Sequence, residues 1–158
     1  MTIRLAQDKD LERIKNLLLQ VNNVHAEGRP DFFIKDCKKY TDEEILDQLH
    51  DSSKVIFVYP DNNDIVLGYA FCQIKKYEGI NNVHPHKCLY IDDLCVDEKH
   101  RRLHIGESLL KHVEKYAKEN HFYNIELNVW ECNPSAKAFY EKMGMKILKT
   151  GMEKILNY

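Results

Sequence analysis

No stretch of these 158 residues is apolar for long enough to span a bilayer. The opening Met1-Thr2-Ile3-Arg4 lacks the apolar segment of a secretory signal, so the sequence reads as cytoplasmic and not membrane-bound. A basic excess is missing too. The 23 Lys and Arg face 25 Asp and Glu, a formal net charge of −2, which speaks against a nucleic-acid partner. No cysteine framework is present either. Cys37, Cys72, Cys88, Cys95 and Cys132 are odd in number and none is spaced C-x-x-C, so free, mostly buried thiols are expected. Two common phosphate loops are absent: there is no G-x-x-x-x-G-K-S/T, and no G-x-G-x-x-G follows a strand. Repeats, low-complexity tracts and linkers are lacking, and the length suits one domain over residues 1–158.

What is there is an ordinary globular composition, 44% apolar and 30% charged. Thr2 to Leu5 reads as a short strand. Asp8 then caps a helix carrying Leu11, Ile14, Leu17, Leu18 and Val21 at helical spacing. Residues 22–40, with Gly28 and Pro30, read as an irregular loop. Thr41-Asp42-Glu43-Glu44 has the form of a capping box ahead of Ile45, Leu46 and Leu49. Val55–Tyr59 and Ile65–Ile74 form a hairpin around a Pro60–Asp64 turn, and Lys87–Val96 is a further strand. Ile105, Leu109, Val113, Tyr116 and Ala117 mark an amphipathic helix, with Glu107–Lys111 and Glu114–Lys118 paired on its outer face. Ile125–Trp130 alternates as a strand. Asn133 and Pro134 open a last helix that Gly144 ends, and Met145–Leu148 and Met152–Leu156 close the chain as strands. A mixed sheet with helices on its faces follows.

Two constellations carry chemistry. In Leu94–Gly106 a buried strand runs through a basic turn into a long helix. The unpaired N–H groups of a helix start, with Arg101, Arg102 and His104 around them, suit an anion such as a diphosphate, and Gly106 permits close approach. The same residues would also serve as a solvated basic turn. The second is Asn133-Pro134-Ser135-Ala136-Lys137-Ala138-Phe139-Tyr140-Glu141-Lys142-Met143-Gly144. His84, His86 and Cys88 are ligand types at alternate positions, but Pro85 interrupts the strand and no fourth ligand is evident, so no metal is expected.

Together these stretches resemble the GNAT (GCN5-related N-acetyltransferase) family. Arg101 and Gly106 match its acyl-CoA signature R/Q-x-x-G-x-G/A, with His104 in place of the first glycine. Asn133, Ala136, Phe139, Tyr140 and Gly144 match its later motif N-x-x-A-x-x-F-Y-x-x-x-G-F, with Met145 in place of the aromatic. The element order matches over nearly the whole chain. The resemblance implies an α/β (α+β) GNAT fold: a mixed, mostly antiparallel sheet with a central splay and helices on both faces. It implies acetyl transfer from acetyl-CoA to a primary amine, without metal. The backbone of Leu94 and Val96 would hold the pantetheine arm. Arg101, Arg102, Leu103, His104, Ile105, Gly106 and Glu107 would hold the diphosphate, and Asn133 would also line the cofactor site. Tyr140 would protonate the leaving thiolate. Asp92 would act as base, because strand alternation places it with Tyr90 and Leu94 and puts Asp93 on the other face. Asn23, His25 and Arg29 lie in the loop that helps form the acceptor site, and Asp93 is a further substrate-binding candidate.

Tyr90-Ile91-Asp92-Asp93-Leu94-Cys95-Val96 resembles, over a shorter span, the acidic strand of spermidine/spermine acetyltransferases, which points to polyamines or other small amines. Many GNAT proteins pair through their C-terminal strands, which opens a homodimer here. A non-catalytic acyl-CoA-binding module of the same fold is the alternative function. It would keep the Arg101–Gly106 loop and not need Tyr140.

Overall fold

The computed structural model describes residues 2–158. Its elements are β1 (Arg4–Leu5), α1 (Leu11–Gly28), α2 (Asp42–His50), β2 (Lys54–Pro60), β3 (Val66–Tyr77), β4 (His86–Val96), α3 (Ile105–Glu119), β5 (Asn124–Leu127) and α4 (Pro134–Lys142). The sheet order is β1-β2-β3-β4-β5; β1 to β4 pair antiparallel and β4 with β5 parallel. Helices cover both faces. On one, Ile14, Leu17, Leu18 and Ile45 pack against Ile56, Val58, Tyr69, Phe71 and Cys95. On the other, Ile105, Leu109, Leu110 and Val113 pack against Phe57, Leu67, Ala70, Leu89 and Ile91. Each large aliphatic side chain buried this way contributes about 1.5–3 kcal/mol relative to an exposed one. No helix among the described residues is long and apolar enough to cross a membrane.

Local signals set several boundaries. Thr41 Oγ1 accepts from the Glu44 N–H at 3.2 Å while Glu44 Oε2 accepts from the Thr41 N–H at 2.7 Å, the expected reciprocal cap. Asn133 Oδ1 accepts from the Ala136 N–H at 3.3 Å and Pro134 takes the first helical position. Asp61 Oδ1 accepts from the N–H groups of Asn63 and Ile65 and closes the hairpin turn.

Other expectations are corrected. Asp8 does not cap α1; a 3₁₀ turn at Asp8–Asp10 comes first, and the Arg4 guanidinium donates to both Asp10 oxygens at 2.8 and 3.0 Å. α1 continues through Asn22 and Asn23 to Gly28. Their amides reach the following loop, Asn22 Nδ2 to the Ile34 carbonyl and Asn23 Nδ2 to Asp36 Oδ1, so tertiary bonds extend a helix whose apolar stripe has ended. The pairs Glu107–Lys111 and Glu114–Lys118 do not form. Glu107 instead meets His104 and Lys142, and Lys115 meets Glu119. β5 stops at Leu127 rather than Trp130. Met145–Leu148 and Met152–Leu156 are not strands: no secondary structure follows α4, and residues 146–158 are exposed. A strand needs a neighbour for its backbone, and the outer edge of β5 has none among the described residues.

Candidate active site

The site begins where the sheet opens. β4 and β5 are in register from Cys88 opposite Asn124 to Ile91 opposite Leu127, and pairing stops there. Beyond Ile91, among the described residues, only β3 flanks β4. The Asp97 N–H donates to the Leu67 carbonyl at 2.8 Å. That bond brackets Gly68 and Val96 as a non-hydrogen-bonded pair. Alternation makes Ala70 and Leu94 another, so the N–H and C=O of Leu94 and Val96 turn away from β3 into the open side. An extended amide-bearing arm fits there as one further strand.

At the end of β4 the chain turns into α3. Asp97 is only 4% exposed and anchors the turn. It takes the Arg13 guanidinium of α1 as ion-pair partner. It also accepts from Gln20 Nε2 at 3.3 Å and from the Lys99 N–H at 3.4 Å, and His100 Nδ1 lies 3.1 Å away. These contacts hold its carboxyl below the usual range against a burial that pushes the other way. Arg102 and His104 both have left-handed backbones, φ 64° and 58°. That explains the family's glycine at the His104 position, because a side chain there costs about 1–2 kcal/mol. The His104 ring folds back on Glu107, Nδ1 to Oε2 2.5 Å, and keeps the Glu107 carboxyl ionised to lower pH. Ile105 is buried, so it can offer a ligand its backbone alone. A Cβ on Gly106 would sit 3.4 Å from the Phe139 ring and 3.7 Å from Val96, which brings α4 against the first turn of α3.

The acidic pair corrects the alternation argument. Phe71 pairs with Asp93 and Cys72 with Ile91, so Asp92 is an extra residue, a β-bulge. Leu89 and Ile91 before it, and Leu94 and Val96 after it, all pack toward α3 and α4. Asp92 and Asp93 both turn toward α1 and α2, so Asp92 does not share the face of Leu94. Asp92 is exposed and meets Lys39 Nζ at 3.4 Å and the Tyr40 hydroxyl at 3.5 Å. Asp93 is half-buried and accepts from the Tyr69 hydroxyl at 2.6 Å. Burial raises its pKa, and the Tyr69 bond and the Lys39 charge only partly offset this. Tyr140 lies close by. Burial first, and then the Asp93 charge, push its phenol well above the ordinary value, so it stays protonated.

The remaining candidates divide. Asn23 is engaged with the loop: besides the bond to Asp36 Oδ1, its own Oδ1 accepts from the Asp36 N–H at 2.8 Å. His25 sits 5.2 Å from Phe33 and 6.5 Å from Trp130, ring centre to ring centre; burial lowers its pKa, so it is neutral. Phe32 lies 5.4 Å from Trp130 and completes an aromatic wall. Arg29 is tied to Asp31 and Glu153. Asn133 Oδ1 is committed to capping α4. His86 Nδ1 is bonded to the His84 carbonyl and its ring stacks on Tyr77. The sequence reading missed Asp97, Tyr69, Lys39 and the Phe32–Phe33–Trp130 wall. Only Asp97, an acid directly after an apolar strand, carried a local signal.

Comparison with known proteins agrees with this geometry. A model described as the acetyltransferase (GNAT) family matches residues 21–145. N-alpha-acetyltransferase 50 of Danio rerio is 37% identical over 89 residues, 56% of this chain and 49% of that protein. "Probable N-acetyltransferase san" of Drosophila melanogaster is 33% identical over 112 residues, 70% of this chain and 56% of that protein. The chain thus spans about half the length of the curated relatives it matches. Among solved structures, a point mutant of the BH1408 protein of Bacillus halodurans superimposes with a TM-score of 0.95 at 29% identity, covering 99% of this chain and 100% of that one. With the family model matched over most of its length, and the splayed sheet and basic helix start that the resemblance implied, this chain belongs to the GNAT acetyltransferase family.

Proposed function

We propose that the chain is an acetyl-CoA-dependent N-acetyltransferase acting on a primary amine, with polyamines and other small amines as the acceptor class. One observation carries the reading. The β4–β5 separation leaves the Leu94 and Val96 backbone groups open beside the α3 start, with Tyr140 packed on their side of the sheet and the charge of Asp93, on the next residue of β4, felt at its phenol. Acetyl-CoA supplies the activated thioester. The Leu94 N–H polarises its carbonyl, and the first-turn amides of α3 with Arg101 and Arg102 hold the diphosphate. Asp93, its pKa raised, takes one proton from the ammonium, and the freed nitrogen lone pair then bonds to the acyl carbon. Tyr140 gives its phenolic proton to the sulfur as the C–S bond breaks and takes back the second nitrogen proton, leaving an amide, a free thiol, a neutral Tyr140 and one proton that Asp93 releases to solvent. The base role thus passes from Asp92 to Asp93. Asp92 orients the cation, as it already does with the Lys39 ammonium, whose pKa the two carboxylates raise.

The aromatic wall of Phe32, Phe33 and Trp130 favours a second acceptor, a peptide N-terminus with an apolar first residue, in line with the name of the zebrafish relative. Coenzyme A release, measured with polyamines and with such peptides, tests both. Turnover with neither, while titration shows tight acetyl-CoA binding, would identify a non-catalytic acyl-CoA module. Absence of binding would overturn the proposal.

A further inference from the structure

A polar stripe of α1 is aimed at one loop. Arg13, Asn16 and Gln20 stand three and then four residues apart, so they share a face of the helix. Asn16 Oδ1 accepts from Arg13 Nη1 at 3.0 Å and from Gln20 Nε2 at 2.9 Å. Both neighbours are thereby oriented toward the chain that leaves β4. Arg13 Nε donates to the Val66 carbonyl at 2.7 Å, and its Nη2 pairs with Asp97. Gln20 Nε2 also reaches Asp97 Oδ1 at 3.3 Å, and Gln20 Oε1 accepts from the Glu98 N–H at 3.0 Å.

Asp97 is the hub of these contacts. Its Oδ2 takes Arg13 and lies 3.1 Å from His100 Nδ1, while its Oδ1 takes Gln20 and the Lys99 N–H. A carboxylate offers about four lone-pair sites, so these partners fill it. The single 3₁₀ turn Glu98–His100 follows. The Glu98 N–H opens that turn and has no acceptor within it, and Gln20 supplies one from another element. Arg101, Arg102, Leu103 and His104 come next and are all exposed. On their far side the Ser108 N–H and hydroxyl both donate to the His104 carbonyl at 3.0 Å. The stretch given above to the diphosphate is thus tied at both ends, to α3 on one side and through Gln20 to α1 on the other.

We propose, resting on the acetyl-CoA site described above, that Gln20 is a positioning residue for that cofactor. It acts through Glu98 and Asp97, fixing the turn from which the Arg101–Gly106 backbone is presented. A loop ordered in advance loses less freedom when its ligand binds, so a bond that fixes the turn is expressed as affinity. Arg13 and Gln20 divide the work. Arg13 carries the charge that the buried Asp97 requires, and its loss falls on stability. Gln20 is neutral and half-buried, so water replaces its bonds when the amide is removed, and global unfolding is little affected.

Gln20→Met keeps the length and helix propensity of the side chain and removes its hydrogen bonds. Titration calorimetry of the full chain with acetyl-CoA should give a Kd roughly three- to tenfold above that of the parent, with Tm hardly moved. Hydrogen exchange read by mass spectrometry should quicken over residues 98–104 alone and return to the parent pattern once acetyl-CoA is saturating. An unchanged Kd overturns the inference. Exchange that quickens across the whole chain, or stays fast at saturation, overturns it too, because the substitution would then have loosened the fold and not placed the loop. Asn16→Ala removes the acceptor that orients Gln20 from an exposed position, should raise the Kd in the same direction by less, and decides the matter if Gln20→Met fails to fold. A parent that binds no acetyl-CoA overturns the proposed function together with this inference. A parent and variants that bind it equally well overturn this inference alone.

Discussion

The two halves of the sheet solve the same problem differently. From β1 to β4 neighbouring strands pair along their lengths, and the residues between them are mostly buried. From β4 outward the pairing covers four residues and ends, β5 has one neighbour, and the C-terminal segment has none. The first half stores stability. The second leaves backbone donors and acceptors unanswered, and an open backbone group beside a helix start or a groove is a binding opportunity. Substitutions should therefore divide: in the open half they act chiefly on turnover without unfolding the chain, and in the closed half chiefly on stability.

The largest expected effects fall in the open half. Tyr140→Phe keeps the ring packing, so kcat should fall by about 10²–10⁴-fold with thermal unfolding hardly moved. Unchanged kcat, with chemistry rate-limiting, would remove the general-acid role. Asp93→Asn should lower kcat over a similar range and yet stabilise the protein at neutral pH. The folded-state pKa of Asp93 lies above its unfolded value, so its contribution is fully present only below about pH 4 and is lost as pH rises through the folded value. Denaturant curves at several pH values should show the variant gaining on the parent as pH rises. Asp92→Asn should act mainly through the KM of the acceptor.

In the closed half, Asp97→Ala strands the Arg13 guanidinium and should cost about 3–5 kcal/mol in denaturant unfolding. The sign opposes that at Asp93. The Asp97 pKa is lowered by folding, so its contribution is present above the unfolded value and is lost as pH falls through the folded one. Gly68→Ala should cost about 1–3 kcal/mol by thermal or denaturant unfolding, because the new Cβ would lie 2.8 Å from the Cys95 carbonyl oxygen, a backbone atom. The smallest effect is a gain. His104→Gly relieves a left-handed backbone at the α3 start and should stabilise by about 1 kcal/mol, read as a higher Tm. A lower Tm would mean that the His104–Glu107 contact outweighs the strain.

Features confined to a few neighbouring residues were legible in the sequence. The Thr41–Glu44 box, the Asn133–Pro134 start and the Ile105–Leu109–Val113 stripe all depend on contacts within a turn or two of helix, so spacing determines them. The basic turn before α3 and the Tyr140 motif were legible for the same reason, as was the sheet with helices on both faces. The other features needed tertiary structure. The bulge at Asp92 is set by which residues of β3 stand opposite, and it reverses the side-chain alternation on which the choice between Asp92 and Asp93 depended. The run of α1 to Gly28 is decided by amide bonds to a distant loop. Met145–Leu148 and Met152–Leu156 have strand-like sequences, but a strand exists only beside a partner, and whether one lies within the chain is a matter of its path in space.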